Sequence, residues 1–267
     1  SGGGFFNKIN LTSSGLTGAA AYDEYDVVSG GDYNGDGLID LYLMRISTKQ
    51  GGVKSGSQPD YVWLADGAGS FTTINLGASF VQGTTGGTGS TPIGFKIGSS
   101  GDFNGDGHTD LYLFKADDDG RSVGNADDYV RFSKGDGYFE VKLLAGGMTG
   151  SAYDAYNVVS SGDYNSDGLT DLYVLRSDTK GRKTGNSADH VWLAKGDGEF
   201  IDIALVANTV DEQTQQLSVS SAPVGYRVAT SGDINGDGLT DLYLLKTDDE
   251  GRSNGNPADY VFYGDYK

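Results

Sequence analysis

The residues best suited to chemistry are acidic and amide side chains that recur at fixed spacing in four short stretches. The first stretch reads GDYNGDGLIDLYL at 31–43. It returns as GDFNGDGHTDLYL at 101–113, as GDYNSDGLTDLYV at 162–174 and as GDINGDGLTDLYL at 232–244. Counted from the first Asp, each copy has oxygen-bearing side chains at positions 1, 3, 5 and 9 and glycine at position 6. This spacing suits Ca2+, which takes six to eight oxygen ligands without strict geometry.

The predicted ligands of each loop are the side chains at positions 1, 3, 5 and 9 and the backbone carbonyl at position 7. Glycine at position 6 permits the sharp turn that the loop needs. Asn at position 3 limits each loop to three carboxylates. The predicted ligands are Asp32, Asn34, Asp36, Leu38 and Asp40; Asp102, Asn104, Asp106, His108 and Asp110; Asp163, Asn165, Asp167, Leu169 and Asp171; and Asp233, Asn235, Asp237, Leu239 and Asp241.

Two other interpretations of these loops are an EF-hand and a turn that binds nothing. An EF-hand needs a bidentate Glu at position 12 and flanking helices. Position 12 is Leu or Val in every copy, and the residues after the last Asp alternate as in a β-strand. An Asx-rich turn needs no metal at all. Four near-identical copies favour metal, so we expect four Ca2+ per chain.

The pattern D-x-N-x-D-G-x-x-D-L at 32–41, with its three later copies, resembles the FG-GAP (VCBS-type) repeats of integrin α-subunit β-propellers and of their bacterial and fungal relatives. The resemblance covers all four repeats. It implies a calcium-binding β-propeller. It leaves the biological role open, because such relatives include adhesion proteins, lectins, toxin-complex shells and polysaccharide-degrading enzymes.

Composition and charge narrow the classes of partner. The chain has 267 residues and a formal net charge of -18, much of which four bound Ca2+ would offset. Nucleic-acid binding needs a basic surface, so we expect no nucleic-acid binding. The acidic charge also disfavours anionic membranes, and we expect no membrane insertion. The absence of cysteine excludes disulfides and thiol catalysis. Weak calcium modules work outside cells, so we expect a secreted or cell-surface protein of bacterial origin.

The spacing of the repeats predicts the architecture. The first Asp residues of the loops, at 32, 102, 163 and 233, are separated by 70, 61 and 70 residues, so repeats 1 and 3 and repeats 2 and 4 both lie 131 apart. This alternation indicates a duplicated two-repeat unit. Each repeat has four strand candidates, which in the first are 25–29, 40–46, 61–65 and 71–76. Four short antiparallel strands per repeat predict one all-β domain over 1–267, a four-bladed β-propeller.

The two ends of the chain predict how the ring closes. Residues 4–11 align with the fourth strand of the second repeat, 137–144, whereas the last repeat has only three strands. The N-terminal strand is therefore expected to complete the C-terminal blade and to remove an exposed edge. A head-to-tail dimer with eight blades and a fragment of a longer array are the alternatives.

Other repeated patterns are candidates for packing or for ligand binding. Trp63 and Trp192 occupy equivalent positions, where packing is favoured over stacking on a sugar. Aromatic residues that precede the first strand of each blade are predicted to be core: Tyr25, Phe95, Tyr156 and Tyr226. The long connections 77–92 and 206–223 are predicted contact surfaces.

The connection between the second and third strands also repeats. It contains Gly-Arg and Gly-Asn pairs at 120–125, 181–186 and 251–256. An Asp then follows in all four repeats: Asp60, Asp128, Asp189 and Asp259. A structured turn in which Arg pairs with nearby acids is favoured over a polar ligand site.

No catalytic constellation stands out. The two histidines are His108, inside a loop, and His190, which replaces a Tyr, and no catalytic triad order, zinc motif or phosphate loop is present. We therefore expect a non-enzymatic, monomeric, calcium-stabilised extracellular β-propeller that binds a protein or glycan surface ligand, as adhesion modules do. A structural or shell domain of a larger toxin or surface protein is the alternative, and a polysaccharide-degrading enzyme is less favoured.

Overall fold

The structure is a computed structural model that describes residues 25–46, 52–81, 86–124, 126–144, 147–205, 221–248 and 258–264. Within these ranges the chain forms fifteen β-strands in four antiparallel sheets, with a 3-10 turn at Ser151–Tyr153. In the part of the chain so described, no helix has the length and apolar character needed to span a membrane.

Each sheet corresponds to one repeat and forms one blade. Blade 1 contains β1 (Tyr25–Gly31), β2 (Asp40–Arg45), β3 (Tyr61–Ala65) and β4 (Phe71–Asn75). Blade 2 contains β5 (Phe95–Gly101), β6 (Asp110–Lys115), β7 (Asp128–Ser133) and β8 (Phe139–Leu144). Blade 3 contains β9 (Tyr156–Gly162), β10 (Asp171–Arg176), β11 (Asp189–Ala194) and β12 (Phe200–Leu205). Blade 4 contains β13 (Tyr226–Gly232), β14 (Asp241–Lys246) and β15 (Tyr260–Phe262).

The strands follow one another as meanders, so every strand pairs with its neighbour in sequence. The β2 strand pairs with β1, from Tyr25 opposite Arg45 to Gly31 opposite Asp40. It pairs with β3 on its other side, where Leu41 lies opposite Trp63. A register irregularity lies between Val27 and Ser29, and the first strands of the other blades repeat it. The Leu-Tyr-Leu runs suit this arrangement because aromatic and branched residues pack well on a pleated surface.

The four sheets are arranged as four successive blades of a β-propeller, which confirms the predicted fold class. The first strands of successive blades, β1, β5, β9 and β13, are neighbours in that order. The predicted N-terminal strand, 5–11, lies outside the described residues. The blade 4 sheet accordingly has three strands in the described part of the chain.

The core consists of layers between neighbouring blades. One layer joins Tyr42 and Met44 of blade 1 to Leu113 and Phe139 of blade 2, all nearly without solvent exposure. A second layer joins blades 2 and 3, and a third joins blades 3 and 4. Three of the four predicted core aromatics, Phe95, Tyr156 and Tyr226, are buried, and Tyr25 is half-buried. Burying such large side chains supplies most of the driving force for folding.

The same two contacts join neighbouring blades at three junctions. The carbonyl at loop position 1 accepts a hydrogen bond from the N–H at position 8 of the next loop. These bonds run from Thr109 to Asp32 (2.7 Å), from Thr170 to Asp102 (2.8 Å) and from Thr240 to Asp163 (2.8 Å). The glycine before each first Asp faces the same threonine, so closely that an added Cβ would overlap it: Gly31, Gly101 and Gly162.

Candidate functional site

The four repeated loops connect the first strand of each blade to the second. Their glycines adopt left-handed backbone conformations, as the sequence predicts: at position 6, φ is 83° for Gly37 and 88° for Gly238. Position 4 is also left-handed, and in the third loop it is occupied by Ser166 with φ 61°. A β-carbon is disfavoured in that region, so the third loop carries local strain that the other three avoid.

The first Asp of each loop binds the backbone of its own loop. The Asp32 carboxylate accepts hydrogen bonds from the N–H groups of Gly35 (2.6 Å) and Gly37 (2.8 Å). Burial acts to raise the pKa of Asp32, but these backbone hydrogen bonds lower it below its usual range. The loops at 102, 163 and 233 repeat the bond to position 6. The anionic form of this residue is therefore stabilised by the loop itself.

The side chains at positions 3 and 5 face each other. The Asn34 amide nitrogen donates to Asp36 (2.9 Å), while the Asn34 side-chain oxygen accepts from the Asp36 N–H (3.1 Å). The Asp36 carboxylate also accepts from the Leu38 N–H (2.8 Å). Equivalent bonds form in the other three loops. These side chains are exposed or half-buried, so they can exchange their hydrogen bonds for other ligands.

The Asp at position 9 has a structural task that the sequence did not reveal. Its two carboxylate oxygens join the start of the loop to the end of the third strand. Asp40 accepts from the N–H of Tyr33 (2.9 Å) and of Ala65 (2.8 Å), and Asp110, Asp171 and Asp241 do the same in their blades. All four residues are fully buried.

Burial and neighbouring carboxylates make position 9 electrostatically unusual. Burial is the main cause that raises the pKa of Asp110 to about 7 and that of Asp171 to about 6, and the loop carboxylates at positions 5 and 1 contribute to both values. The pKa of Asp40 is raised for the same reasons. Among the ion pairs of the described residues, none joins a loop carboxylate to Lys or Arg. A cation beside the three carboxylates of a loop would offset this repulsion.

The predicted ligands thus lie together in each loop, but their side chains point largely at the loop backbone. In the ranges that the structure describes, no three acidic or histidine side chains converge closely enough to hold a metal ion. The donor types fit Ca2+, since each loop offers carboxylate, amide and carbonyl oxygens.

Buried networks of Tyr, Asp and Lys, which the sequence did not reveal, lie within blades 1 and 3. In blade 3, the Tyr173 hydroxyl donates to Asp189 (2.8 Å), and the ammonium group of Lys183 pairs with the other oxygen of that carboxylate. Asp189 also accepts from the Ala222 N–H (2.6 Å). In blade 1, Tyr42, Lys54 and Asp60 are arranged in the same way. Each Lys–Asp pair is almost without solvent exposure.

Blade 2 has the same Tyr–Asp pair but no cation. Asp128 accepts hydrogen bonds from the Tyr112 hydroxyl and the Met148 N–H, and Ser122 stands where the other two blades have Lys. Ser122 N–H donates to Tyr156 O as Lys183 N–H donates to Tyr226 O, so the backbone positions correspond. Burial raises the pKa of Asp128 to about 7.

The remaining predicted residues have structural partners. Arg121 pairs with Asp117 and Asp119 (both 3.2 Å), and Arg182 pairs with Asp178 (2.6 Å), as the structured-turn interpretation predicts. The Arg252 turn lies outside the described residues. Trp63 and Trp192 are 3% and 1% exposed, so both pack rather than stack on a ligand.

The two histidines also have acidic neighbours. The His108 ring lies 3.0 Å from Asp106, within its own loop. The His190 ring lies 2.7 Å from Asp202 on the neighbouring strand β12.

A shallow cleft lies beside the blade 3 turn. Lys183, Asn186 and Ser187 line one wall, and Ser221 and Val224, which follow the second long connection, line the other. Most of that connection, 206–220, and residues 82–85 of the first lie outside the described residues. The cleft brings together part of the repeated turn and the end of a long connection, which lie in separate segments of the sequence.

Comparison with known proteins agrees with this architecture. The family model described as FG-GAP-like repeat matches residues 32–113, 102–174 and 163–244, which together cover well over half of the chain. Repeats of this kind are typically non-catalytic binding modules and are typical of extracellular domains. A comparison with curated proteins finds no significant match. Because the chain has this match over most of its length, together with four blades and the repeated loops, it belongs to the FG-GAP-like repeat family.

Proposed function

We propose that this protein is a calcium-stabilised, non-catalytic binding module that works outside the cell. The observation that carries the proposal is the loop electrostatics. Three carboxylates lie within one short loop, and the one at position 9 is fully buried; at Asp40, Asp110 and Asp171, burial and then the carboxylates at positions 5 and 1 disfavour its ionisation. A divalent cation at the exposed side of the loop would offset the repulsion between these carboxylates.

In this proposal calcium is structural. The metal supplies positive charge and holds the loop oxygens together, and the chain's own residues connect that loop to the rest of the fold. Asp40 links the loop to β3, and the Asp32 carbonyl links it to Thr109 of the next blade. Ordering a loop is therefore expected to strengthen both its own blade and the following junction.

The binding surface in this proposal includes the cleft at Lys183–Val224 and the adjoining long connection. Exposed Asn186 and half-buried Ser187 offer hydrogen-bonding groups, and exposed Val224 offers an apolar contact. Such a mixture suits a protein or glycan surface. The overall charge of -18 disfavours acidic ligands.

The calcium proposal is tested on protein verified to be metal-free. Titration with CaCl2 is expected to raise the melting temperature and to show four bound ions by calorimetry. A site that is filled at one hundred times its Kd adds about 2.7 kcal/mol to stability. Asp36→Ala should leave three ions bound, whereas Asp136→Ala, which removes the same charge from a hairpin turn, should leave four. An unchanged melt with and without calcium would refute the proposal.

Ligand binding is tested separately on the calcium-saturated protein. A glycan array and a surface-protein panel serve as probes, with Asn186→Ala and Val224→Ala as cleft variants. Ile93→Ala, an exposed apolar residue elsewhere on the surface, is the matched control. Loss of binding in both cleft variants but not in the control supports the site. If both cleft variants retain binding, the ligand binds elsewhere on the protein.

A further inference from the structure

Blade 4 and blade 1 each present half of a junction that no described residue completes. Ile39 occupies loop position 8 in blade 1, where the other loops have Thr. In the described residues, its N–H makes no backbone hydrogen bond to Asp233, the position 1 residue of blade 4. Gly232, which precedes Asp233, has nothing within 4 Å of an added Cβ. The three equivalent glycines face a threonine at that place.

The trailing face of blade 4, the face that points away from blade 3, is unusually exposed. It consists of Ile234, Tyr243, Leu245, Val261 and Tyr263. Ile234 is 48% exposed, whereas Tyr33 and Phe103 at the same position are fully buried. Tyr243 is half-buried, whereas its three counterparts are at most 2% exposed: Tyr42, Tyr112 and Tyr173. The corresponding surface is buried at these positions in blades 1 and 2, and in blade 3 Tyr173 is buried and Tyr164 is half-buried.

The leading face of blade 1 shows the complementary exposure. It includes Val27, Ile39, Leu41 and Phe71. Val27 is 48% exposed and Ile39 is 65% exposed. The residues that correspond to Val27 in blades 2 and 3, Ile97 and Val158, are each 8% exposed because the preceding blade covers them. Leu41 is half-buried, while its counterparts in the other three blades are buried.

We propose that the trailing face of blade 4 binds the leading face of blade 1 of a second copy of this chain, head to tail. The chain already contains this interface three times. In each case the trailing face of one blade receives the leading face of the next, with a position 8 side chain against the glycine. In the dimer, Ile39 of one copy supplies the position 8 side chain, and Gly232 of the other copy, with open space beside it, supplies the glycine.

A dimer is the smallest assembly in which this head-to-tail contact leaves no face free. The two faces differ, so one contact leaves a free face on each copy. Two copies that make the contact reciprocally leave no free face and form a closed ring of eight blades about a two-fold axis. The proposal therefore replaces the monomer expected from the sequence with a dimer whose halves each contribute four blades.

Solution mass provides the first test, with full-length, calcium-saturated protein in sedimentation velocity. The wild type is expected at twice the chain mass of 28.0 kDa. Ile39→Glu and Ile234→Glu each place a charge on one face, and each should weaken dimerisation by about tenfold or more. Ile201→Glu, at an equally exposed residue on β12, should have no effect. A wild type that remains monomeric at 100 µM overturns the proposal.

Cross-linking identifies the occupant of the junction. Because the chain has no cysteine, Ile39→Cys/Gly232→Cys introduces one defined pair, and the melt of the Gly232→Cys single variant checks that a side chain at a φ of 153° leaves the fold intact. Oxidation should yield a covalent dimer. Gly162→Cys/Thr240→Cys, at a junction inside the chain, is the control: the undisturbed Cβ–Cβ distance of 2.8 Å is shorter than a disulfide needs, so an oxidised monomer shows that such a junction relaxes enough to form the bond. An oxidised monomer from the first variant means that blade 4 meets blade 1 of its own chain. No bond, with the control cross-linked, means that another segment covers the faces. Either result overturns the proposal.

Discussion

Replacing Lys183 with Ser gives blade 3 the polar network that blade 2 has naturally. Lys183 is 2% exposed, and its ammonium group pairs with Asp189, which is fully buried. The pKa of Asp189 is raised by burial, and Lys183 opposes that effect. Without the cation, Asp189 retains the Tyr173 hydroxyl and the Ala222 N–H as partners. Those partners correspond to the two that Asp128 has, and the pKa of Asp128 is about 7.

The magnitude follows from the removal of one partner of a buried pair, which costs about 3–5 kcal/mol. The variant Asp189 should acquire a pKa near that of Asp128. An Asp whose folded-state pKa is raised binds a proton more readily when folded, so stability is greatest near pH 4 and is lost as the pH rises toward about 7. Between pH 5.5 and 7.5 this loss is about 2 kcal/mol. The penalty should therefore be about 4 kcal/mol at pH 7.5 and about 2 kcal/mol at pH 5.5.

Thermal melting of calcium-saturated protein, followed by circular dichroism, measures both values. For a protein of this size 1 kcal/mol corresponds to about 2 °C, so Tm should fall by about 8 °C at pH 7.5 and about 4 °C at pH 5.5. Ser122→Lys is the reverse experiment, because it supplies Asp128 with a cation and should make the melt less dependent on pH. An equal loss at both pH values for Lys183→Ser would refute the electrostatic account.

Three further outcomes are expected. Ser166→Gly should raise stability by about 1 kcal/mol, because it removes a β-carbon from a left-handed position, and urea unfolding measures this gain. Gly162→Ala should cost about 1–3 kcal/mol, because its Cβ would lie 2.3 Å from Thr240, and urea unfolding measures this loss. Metal-free protein should become more stable as the pH falls from 8 to 5, because burial raises the pKa of Asp110, and saturating calcium should reduce that dependence.

Local patterns in the sequence predicted most of the fold, because strands and turns depend on residues that lie close together in the chain. The strand β3 was predicted at its observed bounds, and β2 differs by one residue. The left-handed glycines followed from the loop spacing alone. The prediction of structural Arg turns succeeded because each Arg and its Asp lie four residues apart in the chain.

The parts that were missed depend on distant residues. Tyr173 and Asp189 are 16 residues apart, and Ala222 is 33 residues beyond Asp189. Only the folded blade brings these groups to one point. The exposure of Ile39 and Gly232 could not be read from the sequence either, since residues with the same loop positions are covered in the other blades. Convergence of the calcium ligands stays a prediction for a related reason, because the spacing of residues in the sequence does not determine their side-chain rotamers.

Lys and Ser alternate at one position of successive repeats, and this alternation restricts the number of blades in a closed ring. Lys54 and Lys183 lie where blade 1 meets blade 2 and where blade 3 meets blade 4, since their backbone N–H groups donate to Phe95 and Tyr226 of the next blade. Ser122 holds that place between blades 2 and 3, and Ser253 aligns with it in the fourth repeat. Two kinds of junction that strictly alternate can close only on an even number of blades. Insertion or loss of a single blade would set two junctions of one kind side by side, whereas adding repeats in pairs preserves the order around the ring.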